Sequence, residues 1–169
     1  MSIVAISQTL GSLGDEIGRE LARGLGYEFA DREIVLKAAE RFGEGERELQ
    51  HVTDEKPTLW ERFTETKDPY LTYIEAIVRE MAARDNVVLV GRGAPFVLAA
   101  VRHALRVRIT APQGVRAKRV ETQQGITPEA APGIVRDSDR DRAARIKFLY
   151  QVDWDDALLY DLVLNTEHL

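Results

Sequence analysis

Residues 3–18 of the chain read IVAISQTLGSLGDEIG, and this stretch decides the fold. It begins with a short apolar run of β-type residues, which predicts a strand. Gly11 and Gly14 then mark a small turn. Beyond the turn, apolar residues recur at the spacing of one helix face: Ile17, Leu21, Ala22 and Leu25. The stretch therefore predicts a strand, a tight loop and a helix.

The predicted loop favours a bound phosphate, because loop amides and a helix N-terminus converge there with partial positive charge. Any α/β domain can open in this way, so the loop alone leaves the site undecided. The full phosphate-loop pattern is missing, because Asp15 stands where a lysine would follow Gly14. That carboxylate would repel a phosphate by roughly 4 kcal/mol at ~4 Å and an effective dielectric constant of ~20. The site therefore needs a Mg²⁺ ion or an arginine from elsewhere.

Composition narrows the class of protein. With 169 residues, of which 44% are hydrophobic, the chain is long enough for one domain with a core. The net charge is −5 and the arginines are interleaved with acidic residues, so a nucleic-acid partner is not predicted. The lack of cysteine excludes disulfides and fits a reducing cytoplasm. No apolar run approaches the ~18 residues of a membrane span, and the scattered histidines lack metal-ligand spacing.

Strands and helices alternate along the rest of the chain. Further strands are predicted at residues 27–30, 87–90, 105–109 and 160–164. Helices are predicted after Asp31, which would cap the first of them, over residues 70–81, after Gly93 and from Pro112. The run at 87–90 is uniformly apolar, which is typical of a strand buried on both faces of a parallel sheet. This order predicts a five-stranded parallel sheet with helices on both faces.

Two polar segments interrupt the alternation. Residues 44–68 contain only isolated apolar residues and are predicted to form an insertion of short helices over a cleft. Residues 125–145 are also polar, and Pro132-Gly133 is expected to interrupt any helix there.

Three motifs fall at the carboxyl ends of predicted strands: the loop at 7–14, Asp31-Arg32, and Gly91-Arg92-Gly93. Ligands of open parallel sheets bind at that edge, so we expect a ligand site there. Asp31 has an ordinary alternative role as a helix N-cap. Arg92, between two glycines after a buried strand, is harder to explain by structure alone.

Four short motifs occur in order along nearly the whole chain: ISQ, GSLG and EIG within 6–18, DREI at 31–34, VGRG at 90–93, and YDL with NT within 160–166. Together they resemble the cytidylate kinase-like family, relatives of the P-loop nucleoside monophosphate kinases. The resemblance implies a three-layer P-loop NTPase-like fold in a single domain, residues 1–169. It also implies an acceptor-side insertion at about 44–68 and a lid at about 125–145.

The implied reaction transfers the γ-phosphoryl group of ATP to CMP or dCMP with Mg²⁺. On the donor side, the resemblance assigns the loop and two arginines of a following helix: Gly11, Ser12, Leu13, Gly14, Asp15, Arg116 and Arg119. On the acceptor side it assigns Asp31, Arg32, Arg92, Asp139 and Arg142. The implied catalytic residues among these are Asp31, Arg92 and Arg142. No set of protein ligands for a metal is assigned.

The lid segment has two interpretations. The resemblance makes Arg136, Arg140 and Arg145 further lid cations. The same run also contains favourable pairs such as Asp137 with Arg140 and Asp141 with Arg145. A solvated, self-paired helix is therefore the alternative.

The chain departs from the family pattern in its donor loop. The family usually has arginine at the positions of Gln8 and Asp15, and glycine at that of Leu13, which suits a turn position with positive φ. Relatives also continue beyond the position of Leu169 into a helix that covers the sheet, so a downstream segment, a partner or a dimer is expected to cover it. Besides a kinase, a catalytically silent nucleotide-binding regulatory module and a small-metabolite kinase stay open as functions.

Overall fold

The structure is a computed structural model, and it describes residues 2–43, 45 and 69–169. Almost all of the predicted insertion at 44–68 lies outside these residues. The strands are β1 (Ile3–Gln8), β2 (Glu28–Ala30), β3 (Val87–Val90), β4 (Ala104–Thr110) and β5 (Leu162–Asn165). The helices are α1 (Gly14–Leu25), α2 (Arg32–Phe42), α3 (Pro69–Ala83), α4 (Ala94–Val97), α5 (Gln113–Gln124) and α6 (Ala131–Tyr150), with a 3₁₀ helix at Ala157–Leu159.

The strands form a five-stranded sheet in the order β2-β3-β1-β4-β5, and every neighbouring pair is parallel. This confirms the predicted fold class. Because β2, β3 and β1 are neighbours and parallel, the loops that follow them meet at one edge of the sheet. The three strand-end motifs are therefore brought together, as expected for the ligand edge of an open parallel sheet.

Alternate residues of the central strands pack on opposite faces of the sheet. On one face, Ile3 and Leu89 join a buried cluster with residues of α2 and α3. On the other face, Val4 and Val88 pack with Ala22 of α1. Burial on both faces explains why β3 is apolar throughout, and it confirms helices on both sides of the sheet.

The edge strand β5 is much less covered than β3. Leu162 and Val163 are about half exposed, and Leu158 just before the strand is 89% exposed. An apolar surface at this edge agrees with the expectation of an incompletely covered sheet. Among the described helices, none combines the length and apolar character that crossing a membrane requires.

Three local predictions were wrong. Pro132-Gly133 does not interrupt a helix, since it lies in the first turn of α6, where a proline costs no backbone hydrogen bond. Asp31 occupies the N-cap position of α2, but its side chain makes no capping hydrogen bond. Leu25, assigned to the buried face of α1, is 50% exposed at the helix end, where Gly26 reverses the chain.

Candidate active site at the carboxyl edge of the sheet

The loop between β1 and α1 is a tight turn with left-handed backbone at two positions. Gly11 has φ +76°, and Leu13 has φ 64°, as its position in the turn requires. A Cβ on Gly11 would lie 2.7 Å from the carbonyl oxygen of Arg116, so glycine is needed for this close approach. The Ser12 amide closes the turn by donating to the Thr9 carbonyl at 3.2 Å. The loop therefore places the N-terminus of α1, which starts at Gly14, at the ligand edge of the sheet.

Gln8 and Asp15, both departures from the family pattern, bind each other. The Gln8 side-chain amide donates to the Asp15 carboxylate at 2.8 Å. The same Gln8 side chain lies against Gly14, where any Cβ would collide with it. The loop thus carries a negative charge at the position where a phosphate loop carries its lysine.

The two arginines of α5 hold the loop by its carbonyl groups. Arg116 is buried and donates to the Leu10 carbonyl at 3.2 Å and to both oxygens of Asp139 at 3.0 and 2.7 Å. Arg119 donates to the Gly11 carbonyl at 3.3 Å and to Thr166. Arg116 and Arg119 therefore support the loop between β1 and α1, and Asp139 supports it through Arg116; the acceptor-side role of Asp139 stays a prediction.

Thr166, just after β5, extends this support. It is fully buried, and its hydroxyl donates to the Ser12 carbonyl at 2.9 Å. With Arg119, it ties the last strand of the sheet to the first loop. Thr166 belongs to the NT motif, which is part of the resemblance. Through Thr166, this motif contacts the loop between β1 and α1.

A cavity opens where the loops after β1, β2 and β3 meet α6. Its polar lining consists of Ser7, Gln8, Asp15, Asp31, Arg92 and Arg142, and its apolar side chains are Ile6, Pro95, Phe96, Ile146 and Trp154. Four of the residues assigned from the sequence, each from a different part of the fold, are thereby brought into one cavity: Asp15, Asp31, Arg92 and Arg142. Arg32 is exposed and is not part of this lining.

Arg92 is held in an unusual backbone conformation. Its φ is 53°, between Gly91 at 72° and Gly93 at 69°, so three consecutive residues are left-handed. The side chain is 7% exposed, and its Nη2 lies 3.6 Å from Asp31 Oδ1. A buried arginine in a strained turn is typical of a functional site.

Tyr150, at the end of α6, packs on this turn. A Cβ on Gly93 would collide with the tyrosine ring and hydroxyl, and the ring also packs on Phe96 with centroids 5.3 Å apart. Burial raises the pKa of the Tyr150 hydroxyl well above its ordinary value, with Glu75 adding to the shift and Arg79 opposing it. The contact therefore fixes the end of α6 against the Arg92 turn.

The arginines of α6 have different surroundings. Arg142 donates to the Gln8 carbonyl at 3.1 Å. Arg145 is 1% exposed, whereas Arg136 is exposed. Arg140 pairs with Asp137 at 3.0 Å and Asp141 at 3.3 Å on the surface, as in the self-paired alternative. The Asp137–Arg140 pair of the self-paired alternative is therefore present, and a role of these arginines in a lid stays a prediction.

A second cavity lies along the donor loop. Its lining consists of Gln8, Thr9, Leu10, Gly11, Leu13, Asp15, Glu16, Gln123 and Arg142. Gln8, Asp15 and Arg142 also line the larger cavity. These three residues mark the junction between the donor loop and the turn that carries Arg92.

Sequence reasoning missed several residues of the site. Trp154, which was not among the assigned site residues, lines the larger cavity. Its neighbour Ser7 and the Tyr150 contact were also not assigned a role. No local pattern marks these residues, because they come together only through the order of the strands and the course of α6.

This parallel sheet, with a glycine-marked loop after its first strand, defines the fold of the P-loop kinases. A shikimate kinase from Bacteroides thetaiotaomicron has a TM-score of 0.57 and 20% identity, over 96% of this chain and 85% of that one. An uncharacterised protein from Eubacterium ventriosum has a TM-score of 0.76 and 18% identity, over 99% of this chain and 89% of that one.

Sequence similarity defines the family. The model of the cytidylate kinase-like family matches residues 3–168. A cytidylate kinase from Methanopyrus kandleri is 31% identical, over 97% of this chain and 84% of the relative. A cytidylate kinase from Ignicoccus hospitalis is 32% identical, over 98% of this chain and 90% of the relative. The chain belongs to the cytidylate kinase-like family, which confirms the resemblance.

Proposed function

We propose that the protein is a nucleoside monophosphate kinase that transfers the γ-phosphoryl group of ATP to CMP or dCMP. The observation that carries this proposal is the junction of the two cavities, lined on both sides by Gln8, Asp15 and Arg142. A phosphoryl group that moves from donor to acceptor has to cross such a junction. The two relatives named cytidylate kinase support the choice of acceptor.

Arg92 is proposed to bind the acceptor phosphate. Its guanidinium lies in the larger cavity beside Asp31, on a turn that Tyr150 packs against. Arginine suits this role because its planar fork of N–H donors matches a phosphate group. Asp31 would orient the guanidinium, and Arg32 stays an acceptor-side proposal without support from its position.

Arg142 is proposed to stabilise the phosphoryl group during transfer. In phosphoryl transfer, the protein mainly aligns the two phosphates and neutralises charge on the equatorial oxygens of the transferred group. Arg142 is suited to this because it lines both cavities and is anchored to the Gln8 carbonyl. It would supply at the junction the positive charge that the loop itself lacks.

The donor loop fits the phosphates of ATP. The N-terminus of α1 favours an anion, and the Ser12 hydroxyl is buried without a hydrogen-bond partner among the residues described. Arg116 and Arg119 would fix the loop carbonyls from the side of α5, which leaves the amides of Gly11 and residues 13–15 to the phosphates.

Asp15 and Asp31 fit a magnesium ion bound together with the phosphates. Within the described ranges, no three or more His, Cys, Asp or Glu side chains cluster as a metal site. Magnesium is, however, usually held by one or two carboxylates with substrate phosphates and water, and both carboxylates line the larger cavity. When bound there, the ion would neutralise phosphate charge, including the repulsion from Asp15.

The lid is proposed to include the first part of α6, with residues 44–68 as the acceptor-side insertion. Closure over two nucleotides would exclude water, which otherwise competes for the phosphoryl group. Arg136 and Arg140 are exposed on this helix and would act only if closure brought them to the phosphates.

A catalytically silent nucleotide-binding module is the second candidate. The observation that favours it is the Gln8–Asp15 hydrogen bond, which places an amide and a carboxylate in the loop where the resemblance implies cations. Such a loop would still bind a nucleotide through its backbone amides without catalysing phosphoryl transfer.

A coupled assay separates the two candidates. ATP with Mg²⁺ is offered with CMP, dCMP, UMP, AMP or shikimate, and thermal unfolding is followed in the same samples. We expect turnover that prefers CMP or dCMP, with Tm raised by each nucleotide. A raised Tm without product would support the silent module, and turnover of a non-nucleotide acceptor in preference to CMP would make the protein a small-metabolite kinase.

A further inference from the structure

Arg108 is a buried cation that the proposed transfer does not use. It lies on β4 and is 5% exposed. Its Nη2 donates to Asp155 Oδ1 at 2.7 Å, and its Nη1 donates to the Ser7 hydroxyl at 3.4 Å. The guanidinium carbon lies 3.8 Å from the centroid of the Trp154 ring, which is a close cation–π contact.

Trp154 is fixed in three ways at once. Arg108 covers its ring. Its indole Nε1–H donates to the Ser7 hydroxyl at 2.8 Å. Its backbone carbonyl accepts a hydrogen bond from the Tyr160 hydroxyl at 2.9 Å. The side chain is therefore held in one orientation, with only 3% of the residue exposed.

The fixed indole lines the larger cavity, which combines two kinds of surface. Trp154 and Phe96 are among its apolar lining residues, and Arg92 is among its charged ones. A nucleoside monophosphate has the same division, because its base is planar and largely apolar on its faces while its phosphate is anionic. Aromatic side chains that bind such bases do so through their ring faces and edges.

We infer that Trp154 forms the surface against which the base of the acceptor nucleotide packs. Arg108 is the positioning residue that holds the indole in place through Ser7 and Asp155. The inference rests on the proposed function, and it assigns the aromatic part of the cavity to the base and the Arg92 side to the phosphate.

Ordinary core packing accounts poorly for this arrangement. A core tryptophan needs apolar neighbours, whereas taking a guanidinium out of water carries a desolvation cost. Apolar residues often replace buried ionic groups without loss of stability. An Arg108→Met variant should therefore fold, which allows its effect on ligand binding to be measured.

Tryptophan fluorescence gives the first test. Trp60 and Trp154 are the two tryptophans of the chain, so a Trp60→Phe variant reports on Trp154 alone. We expect CMP without ATP to change this emission saturably, because a base packed on an indole quenches it. ATP with Mg²⁺ at the same concentrations should change it far less.

Kinetics gives the second test. Trp154→Leu should raise the KM for CMP about tenfold, the scale of one lost base–aromatic contact. Trp154→Phe, which keeps a ring but loses the Nε1–H donor, should raise it less. Arg108→Met should also raise the KM for CMP, with kcat and the KM for ATP changed less than twofold.

Arg106→Met is the matched control for Arg108→Met. Arg106 lies two residues away on the same strand and also pairs with an aspartate, since its Nη2 is 2.9 Å from Asp161 Oδ1. It does not contact Trp154 in any interaction that the structure gives. The control should leave the KM for CMP unchanged, which separates loss of an arginine on β4 from loss of the indole support.

The outcomes distinguish this inference from the proposed function. Trp154 emission that stays constant as CMP is added overturns the inference, even if CMP is phosphorylated. An unchanged KM for CMP in Trp154→Leu overturns it as well. Absence of product from every nucleoside monophosphate counts against the proposed function instead, and emission that still responds to CMP then supports the inference as a statement about binding.

Discussion

Arg92 combines a strained backbone with a buried charge, and a residue of this kind is seldom kept for stability alone. Left-handed φ values at non-glycine residues cost about 1–3 kcal/mol when the surroundings enforce them. Here the flanking glycines and the Tyr150 contact enforce the turn. The strain therefore supports a role for the guanidinium in binding the acceptor phosphate.

Arg92→Ala is expected to lower kcat/KM for CMP about a hundredfold, the scale of a lost charge-assisted hydrogen-bond pair. The free energy of unfolding should change little, because the variant also removes a buried charge. Arg23→Ala is a control, since Arg23 lies on the surface of α1 and pairs with Glu20. Steady-state kinetics with unchanged kcat/KM in Arg92→Ala would contradict the assignment.

Asp15→Asn tests the proposed magnesium role. Asparagine can still accept the hydrogen bond from Gln8, but it removes the negative charge. We expect the Mg²⁺ concentration for half-maximal activity to rise about tenfold, because a carboxylate is a much better ligand for this ion than an amide. The neighbouring Glu16→Gln is the control, as Glu16 lines only the donor-loop cavity. Equal magnesium curves for wild type and Asp15→Asn would exclude a role for Asp15 in holding the ion.

At the scale of elements, the contact between Tyr150 and Gly93 joins α6 to the turn that carries Arg92. Gly93→Ala should destabilise the fold by about 2–3 kcal/mol, because it adds a Cβ at φ +69° and drives it into Tyr150. Tyr150→Phe alone should cost less than ~1 kcal/mol, a typical net value for a hydroxyl contact. In a double-mutant cycle the combined loss should be smaller than the sum, since the hydroxyl is part of the collision. Additive losses in chemical denaturation would show that the two residues do not interact.

An ion pair between Arg106 and Asp161, which is sensitive to acid, joins β4 to the start of β5 in addition to the strand ladder. Hydrogen bonds from the Arg106 side chain and amide hold the pKa of Asp161 below its ordinary value. A lowered folded-state pKa means that the stabilisation is present above the unfolded value of about 4 and is lost as the pH falls through the folded one. Asp161→Asn should therefore lower the free energy of unfolding at pH 7. Below pH 4 this free energy should fall less steeply in the variant than in wild type. Parallel acid-unfolding curves for the variant and wild type would contradict this.

The elements were predictable where the pattern was local. Val87–Val90 is apolar at every position, and both faces of β3 are buried. Pro132 was misinterpreted because a proline can start a helix as readily as end one, and the choice depended on where α6 begins. The pairing of Asp31 with Arg92 and the place of Trp154 in the cavity were not predictable, because both depend on contacts between residues far apart in the chain.

At the scale of the whole molecule, the two cavities meet at α6, so binding of donor and acceptor should affect this helix together. We expect CMP and a non-hydrolysable ATP analogue each to slow amide hydrogen exchange in residues 125–145. Added together, they should slow it by more than the sum of their separate effects. The physical reason is that closure orders the helix only when both sites are filled. Mass spectrometry of exchange would measure this, and slowing confined to residues 9–14 would argue against a lid.

The hydrogen bond from Thr166 to the Ser12 carbonyl joins two residues at opposite ends of the described chain. During synthesis on the ribosome, the donor loop emerges early, but Thr166 emerges only after all five strands have been made. A nascent chain would therefore lack the contact that sets the loop carbonyls. We expect the affinity for nucleotides to appear late, after β5 has joined the sheet.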